Sequence, residues 1–195
     1  NSLRRNKSRF AASDLAGIKR TGKRDSSGFE GIGGDDCVSY QTVKLGSVCK
    51  FLNGGTPTKN ESSYFEGNIA WITGADITSP VVTESRSFIT EKAIQESATN
   101  LVQEGTVLLV TRTSVGKVAV AGIPLCFSQD ITAVLPDEKI INPKFLVRYL
   151  QSKENYFKQY QRGATIQGIT REVVANAEIP LPPLAEQKRI AEVLD

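Results

Sequence analysis

The sequence contains no histidine among its 195 residues, and this absence excludes several common kinds of chemistry. Without histidine there is no His-based metal site, no Ser-His or Cys-His nucleophile pair and no imidazole general base. The three cysteines, Cys37, Cys49 and Cys126, are odd in number and form no CxxC pair. They suggest neither a disulfide framework nor a zinc site, so we expect a reducing, cytoplasmic location.

Long hydrophobic runs are also absent. No stretch approaches the roughly 20 apolar residues that a membrane-spanning helix needs. The basic N-terminus is not followed by the apolar segment of a secretory signal. We therefore expect a protein without a membrane partner.

Positive charge is confined largely to the beginning of the chain. The formal net charge is +3, but residues 1–24 hold eight Lys or Arg and one acid, which leaves −4 on the remainder. Residues 1–40 are rich in Arg, Lys, Ser and Gly and poor in large apolar side chains, which predicts a basic flexible tail or linker. Such a run is typical of a solvated tail, an arm on DNA phosphates or the junction to a preceding module. Any nucleic-acid binding by the remainder would need a local basic patch.

From residue 41 onward, short apolar runs alternate with polar loops. Asn142 followed by Pro143 is a good helix start, since Asn caps and Pro suits the first turn. Trp71 lies in an apolar run and is interpreted as a core residue rather than a base-stacking platform. We predict strands at 69–73, 106–111, 117–121, 125–128 and 131–135, and helices at 90–98, from 143 to about 160 with a break, and at 170–175. Because no regular βαβ rhythm is present, the predicted fold is α+β with a mixed, twisted sheet.

The last residues change from a strand-like EIPLP segment to a helical pattern, with proline expected at the first helical position. A narrow apolar stripe of this kind packs along another helix. Its partner is either a second chain or downstream segment, or the core of this domain. The stripe consists of Leu184, Ile190, Ala191, Val193 and Leu194.

Several segments, in order, resemble the target recognition domain of type I restriction-modification specificity (S) subunits. They are KLGSVCKFLNGGTP at 44–57, GNIAWITGADI at 67–77, EGTVLLVTRTSVGKVAV at 104–120, RGATIQGIT at 162–170 and EIPLPPLAEQ at 178–187. The terminal PPLAEQKRIAEVLD resembles the start of the spacer helix, a coiled-coil element, that follows each such domain. The resemblance assigns residues 41–181 to a target recognition domain and 182–195 to the start of a spacer helix, which we expect to be cut short.

The resemblance implies recognition of one half of a bipartite double-stranded DNA target, in defence against foreign DNA. It implies no cofactor on this chain, S-adenosylmethionine on a partner adenine methyltransferase (M) subunit, cleavage by an endonuclease (R) subunit, and pairing with a second recognition domain through the spacer helix. Two alternatives stay open. The chain is the C-terminal recognition domain of a single-chain restriction-methyltransferase enzyme, or it is a protein-interaction module that uses the helix.

Catalytic motifs for either DNA reaction are missing from the sequence. An adenine methyltransferase would need an NPPF-like or DPPY-like pocket, and the nearest diproline, Pro182-Pro183, stands at a helix start. The PDEK run at 136–139 resembles a nuclease motif superficially, but its acids are adjacent and lie in a polar turn. We therefore predict no catalytic residue and no metal site, and interpret the chain as a DNA-recognition component.

Polar loops after predicted strands carry the candidate DNA contacts, because sequence readout needs fixed donors and acceptors at a groove. Each loop can also be interpreted as purely structural, without DNA contact. It is then a hairpin turn, a helix C-cap with Gly163 in the left-handed conformation, or a surface turn. Gln129 lies where the family often has an Asn-Gln pair, but here Ser128 replaces the Asn. The predicted contacts are Thr56, Thr58, Lys59, Thr73, Asp76, Arg112, Thr113, Ser114, Lys117, Gln129, Arg162, Thr165 and Gln167.

Overall fold

The computed structural model describes residues 40–163 and 167–194 of the chain. The tail predicted over residues 1–40 therefore lies outside the described residues, except for Tyr40. Thr165 and Cys37 also lie outside them.

Eleven strands and six α-helices make up the described part of the chain. The strands are β1 (Thr42–Lys44), β2 (Cys49–Asn53), β3 (Ile69–Ile72), β4 (Val81–Val82), β5 (Ser87–Ile89), β6 (Leu101–Val102), β7 (Val107–Val110), β8 (Val118–Ala121), β9 (Leu125–Phe127), β10 (Ile131–Pro136) and β11 (Glu178–Pro180). The helices are α1 (Leu45–Val48), α2 (Glu91–Glu96), α3 (Pro143–Ser152), α4 (Glu154–Gln159), α5 (Arg171–Asn176) and α6 (Leu184–Leu194). Short 3-10 turns lie at Ser62–Phe65 and Gly74–Asp76.

Three sheets organise these strands. The larger two are a five-stranded sheet in the order β2-β10-β7-β8-β4 and a four-stranded sheet in the order β5-β3-β9-β6. The β4–β8 and β3–β9 pairs are parallel and the others are antiparallel. A separate antiparallel ribbon pairs β1 with β11. The predicted mixed sheet is thus confirmed, but it is divided into two main sheets.

The alternation of side chains along β7 explains how the layers form. Successive strand residues point to opposite faces, and all four residues of β7 are buried. Val107 and Leu109 pack with the helices, whereas Leu108 and Val110 pack with the four-stranded sheet. Each such side chain contributes roughly 1.5–3 kcal/mol on burial. The five-stranded sheet is therefore a central layer with helices on one face and the second sheet on the other.

The four-stranded sheet repeats this alternation. Ile72 and Phe127 face the five-stranded sheet, whereas Trp71 and Cys126 face a smaller cluster formed with α2. Trp71 is 8% exposed and its indole N–H donates to the Gly55 carbonyl at 3.1 Å. The interpretation of Trp71 as a core residue is confirmed.

Side-chain caps define where several helices begin. The side chains of Thr90, Asn142 and Thr170 accept hydrogen bonds from backbone N–H groups three residues later. The predicted helix starts and the break between α3 and α4 are confirmed. The predicted position of proline in the terminal helix is wrong by one residue, since α6 begins at Leu184 and the Pro183 carbonyl accepts its first hydrogen bonds.

Candidate nucleic-acid interface

Five polar loops lie together at one end of the two main sheets. They follow β2, β3, β7 and β9 and include a segment after α4, so they are distant in sequence. Because β7 and β9 both lead into this end and β8 and β10 both lead away from it, sheet register brings the loops together. We call residues 54–60, 73–76, 111–117, 128–130 and 162–163 with 167–168 the loop edge.

Backbone hydrogen bonds join the loop edge to the ends of the strands. The Gly55 N–H donates to the Phe127 carbonyl at 2.9 Å, and the Ser128 N–H donates to the Ile72 carbonyl at 2.8 Å. A Cβ atom on Gly54 would lie 2.0 Å from the Ser128 carbonyl oxygen, so only glycine permits this approach. The two glycines therefore serve packing and leave the following residues at the surface.

The other loops are joined in the same way. The Asp130 carbonyl accepts from the N–H groups of Thr111 at 2.7 Å and Arg112 at 3.2 Å. The Thr113 N–H donates to the Gln167 carbonyl at 2.9 Å. Fixed loops on a rigid sheet suit recognition, because less conformational entropy is lost on binding.

The β7–β8 turn holds a strained residue at its tip. Thr113 has φ 64°, and the Ser114 N–H donates back to the Arg112 carbonyl at 2.8 Å across it. A non-glycine residue in this region costs on the order of 1–3 kcal/mol and persists where its surroundings hold it. Arg112 and Thr113 are exposed, and Ser114 is half-buried. The Lys117 ammonium lies 3.5 Å from the Ile77 carbonyl, which ties this turn to the loop after β3.

Thr73 and Asp76 form a capping box around the 3-10 turn. One carboxylate oxygen of Asp76 accepts from both the Thr73 N–H and the Thr73 hydroxyl at 2.8 Å. The other oxygen accepts from the Arg86 Nε at 2.5 Å. Burial alone would raise the pKa of the Asp76 carboxyl, but the hydrogen bonds from Thr73 and Arg86 outweigh it and lower this pKa below its ordinary value. Asp76 is thus ionised and anchored by Thr73 and Arg86, and the roles of Thr73 and Asp76 as DNA contacts stay predictions.

Gln129 and Ser128 occupy different environments although they are adjacent. Ser128 is 2% exposed, and its hydroxyl donates to the Asp130 carboxylate at 3.2 Å. Gln129 is exposed at the tip of the β9–β10 connection. Ser128 is therefore a buried support of this connection, whereas the amide of Gln129 lies at the surface.

The segment after α4 pairs with itself and with the β7–β8 turn. Arg162 and Gly168 exchange backbone hydrogen bonds at 2.9 and 3.0 Å, and Gly168 also bridges to Arg112. Gly163 has φ 126°, which agrees with its predicted positive φ. Arg162 and Gln167 are exposed.

The remaining predicted contacts lie in the loop after β2. Thr56, Thr58 and Lys59 are all exposed. Every predicted DNA contact within the described residues therefore belongs to the loop edge, although the role of each in binding stays a prediction.

The loop edge carries more cations than unpaired acids. Lys59, Arg112, Lys117 and Arg162 are exposed on it. Among the acids, Asp76 is held by Arg86, and Asp130 accepts from the Ser128 hydroxyl at 3.2 Å. Glu154 of α4, which lies beside Gly116, pairs with Lys158 at 2.6 Å. This local excess of positive charge contrasts with the acidic balance of residues 25–195 and suits a polyanion.

Arg86 was not singled out in the sequence, yet it adjoins the loop edge. Ser87 pairs with Trp71 across β5 and β3, so Arg86 lies beside the end of β3. Its loop between β4 and β5 contains no motif that predicts a site. Only the pairing of these strands brings its guanidinium to Asp76.

Other features of the described residues are weaker candidates for a functional site than the loop edge. A mostly apolar cavity of about 650 Å³ lies at the opposite end of the five-stranded sheet, where Thr106, Val120 and Pro136 line it. Within 40–163 and 167–194, no group of three or more His, Cys, Asp or Glu residues could hold a metal ion. None of the helices described there has the length and apolarity to cross a membrane.

The stripe of α6 is divided between the chain's own core and its surface. Ala191 is 1% exposed within the main core, and Ile190 packs against it. Both residues thus pack in the core of this domain, which is one of the two partners that the sequence predicted for the stripe. Val193 is 68% exposed, and Leu184 and Leu194 are partly exposed. The surface left for a partner is narrower than the full stripe.

Comparison with protein families places the chain among known proteins. The model of the type I restriction modification DNA specificity domain matches residues 38–195. The chain is 33% identical over 165 residues to the type I restriction enzyme EcoR124I/EcoR124II specificity subunit of Escherichia coli, covering 81% of this chain and 40% of that protein. It is 30% identical over 160 residues to the MjaIX specificity subunit of Methanocaldococcus jannaschii, covering 80% and 37%.

Solved structures show the same fold. An HsdS subunit from Thermoanaerobacter tengcongensis matches 94% of this chain and 41% of its own with a TM-score of 0.68 at 24% identity. A chain from a study of complex assembly and conformational transition of the type I R-M system matches 86% and 40% with a TM-score of 0.67 at 30% identity. The present chain spans about two fifths of the length of these relatives.

Proposed function

Because the chain belongs to the family of type I restriction-modification DNA specificity domains, we propose that its loop edge recognises a specific sequence in double-stranded DNA. The resemblance noted in the sequence is confirmed at the level of the family. The chain is a recognition component, and we assign it no catalytic residue.

One observation carries the proposal. Loops from four strand ends and one helix end, scattered over more than 100 residues, are joined by backbone hydrogen bonds into a single polar surface. That surface presents guanidinium, ammonium, hydroxyl and amide groups, which are the groups that contact phosphates and base edges. Support by buried strands fixes their relative positions, as discrimination between base pairs requires.

The family membership supports a division of labour. We propose that residues 41–181 form a target recognition domain that reads one half of a bipartite target. An M subunit would bind S-adenosylmethionine and modify adenine, and an R subunit would cut the DNA. The target base would be flipped by the M subunit, while this domain determines where modification takes place.

Residues 182–195 are proposed to begin the spacer helix. The exposed Val193, with Leu184 and Leu194, would contact a partner subunit or the helix of a second recognition domain. The alternative of a single-chain enzyme differs in having the methyltransferase on the same polypeptide. Methyltransferase motifs upstream in the parent gene would identify that arrangement.

Selection from a library of randomised duplexes tests the function directly. The full chain is used alone and together with the M subunit encoded with it, and gel shifts follow at several salt concentrations. We expect one short sequence to be enriched and the affinity to fall steeply with salt, because phosphate contacts release counterions. Equal binding of all duplexes in both arms would refute the proposal.

A further inference from the structure

Arg86 and Asp76 form an ion pair beside the loop edge that neither the family comparison nor the predicted contacts assign. The Arg86 side chain is 75% exposed, whereas that of Asp76 is 10% exposed. Asp76 is itself held by the N–H and hydroxyl of Thr73. A largely buried, twice-anchored carboxylate therefore restrains an exposed guanidinium through its Nε atom.

The contact geometry determines which part of Arg86 remains for a ligand. The Nε atom of Arg86 bonds to Asp76 at 2.5 Å. The two terminal amino groups lie at the far end of the planar guanidinium and, within the described part of the chain, donate no hydrogen bond to another residue. These two groups can donate in parallel to a pair of acceptors.

A guanine edge fits this arrangement better than a phosphate does. The O6 and N7 atoms of guanine in the major groove accept a bidentate arginine. Phosphate also accepts such a pair, but its attraction depends on net charge, which the Asp76 carboxylate offsets. The Asp76 carboxylate weakens the net attraction of Arg86 for a phosphate but leaves the direction of its free N–H groups restrained. Base readout depends on the direction of hydrogen bonds.

Resting on the proposed DNA recognition, we propose that Arg86 reads a guanine in the target, with Asp76 as its positioning residue. The loop between β4 and β5 thereby joins the loop edge as a specificity-determining segment. Its position follows from strand pairing, since Arg86 lies beside the end of β3 from which Thr73 and Asp76 continue.

The test compares Arg86→Ala with wild type by selection on randomised duplexes, using the full chain. We expect Arg86→Ala to lose preference for guanine at one position by on the order of 10- to 100-fold while the salt dependence stays unchanged. Arg86→Lys should not restore the preference, because an ammonium cannot bond in the same planar, bidentate way. Asp76→Ala should weaken the same position while Arg86 is still present.

Arg189→Ala is the matched control, since Arg189 is 74% exposed and pairs with Glu186 on α6, outside the loop edge. It should leave the recognised sequence unchanged. A uniform loss of affinity with a lower salt slope in Arg86→Ala would identify a phosphate contact, and it would overturn this inference but not the proposed function. An unchanged recognised sequence in Arg86→Ala would do the same. If wild type itself selects no sequence, the proposed function fails, and this inference with it.

Discussion

Arg112 and Lys59 lie on the same surface but are supported differently. The backbone of Arg112 donates to Asp130 and bridges to Gly168, so its side chain starts from a fixed point. Lys59 lies in an exposed turn after the loop glycines. A fixed guanidinium suits a base edge, whereas a flexible ammonium suits phosphates.

We expect Arg112→Ala to relax preference at one base position by about 1–3 kcal/mol, because a bidentate contact is lost. Lys59→Ala should weaken all sequences about equally and lower the salt slope by about one. Each variant is measured by duplex selection and by affinity at several salt concentrations. An unchanged sequence for Arg112→Ala, or a base-selective effect for Lys59→Ala, would contradict these roles.

Asp76 also predicts a pH dependence of stability. Its carboxyl has a pKa below the ordinary value because of the bonds from Thr73 and Arg86, so its ionised form stabilises the fold. That contribution is fully present above the unfolded pKa of about 3.9 and is lost as the pH falls through the lower folded pKa. Asp76→Asn should lower the free energy of unfolding by about 1–2 kcal/mol at pH 7.

The difference should begin to shrink below about pH 4, where the unfolded chain binds a proton at Asp76, and should be lost only once the pH lies below the lowered folded pKa. Urea unfolding at a series of pH values from 7 down to about 2.5 measures it. A deficit that stays the same across the series would show that the charge of Asp76 contributes nothing.

At the scale of elements, the start of α6 is held by a buried amide. Gln187 is fully buried, and its Oε1 accepts from the Asn142 N–H at 2.7 Å. Its Nε2 donates to the carbonyls of Ile140 at 3.0 Å and Pro182 at 2.8 Å. One side chain therefore connects α6 with the first turn of α3 and fixes the direction in which α6 leaves the domain.

Gln187→Ala would leave three backbone groups without their partner. Because each unsatisfied buried group costs about 1–3 kcal/mol, and water can replace some bonds, we expect a loss of about 2–4 kcal/mol in the free energy of unfolding. The exposed neighbour offers a control, since Lys188→Ala should change stability by less than about 0.5 kcal/mol. Chemical denaturation compares them, and similar midpoints for the two variants would disprove this role of Gln187.

At the scale of the whole molecule, two buried thiols report on different layers. Cys49 belongs to the cluster between the five-stranded sheet and the helices, and Cys126 to the cluster behind the four-stranded sheet. Burial raises the pKa of Cys49 to about 12 and that of Cys126 to about 11, where a hydrogen bond with Thr99 partly opposes the effect of burial. Since the thiolate is the reactive form, both should resist labelling at pH 8.

Because the two sheets share the cluster around Leu108 and Phe127, we expect them to unfold together. In a Cys37→Ser variant, iodoacetamide labelling followed by mass spectrometry should show both thiols reacting at the same urea concentration. Earlier labelling of one thiol would reveal that the layers unfold separately.

The sequence alone predicted the secondary structure of the strongest elements and the polar loops that the fold brings together at the loop edge. Buried runs such as VLLV and caps such as Asn142-Pro143 act on neighbouring residues, so a short stretch of sequence is enough to predict the strand or the helix start. The resemblance then indicated the family, and the loops after the strands indicated where polar groups would be presented.

The tertiary structure decided which of these groups meet. The division into two sheets, the pairing of β3 with β5 that brings Arg86 to Asp76, and the burial of Gln187 and Ala191 all depend on residues far apart in the chain. Such contacts form because sheet register and layer packing satisfy backbone hydrogen bonds and remove apolar surface from water together. No local pattern contains that information, and so the shape of the recognising surface follows from the fold rather than from any single motif.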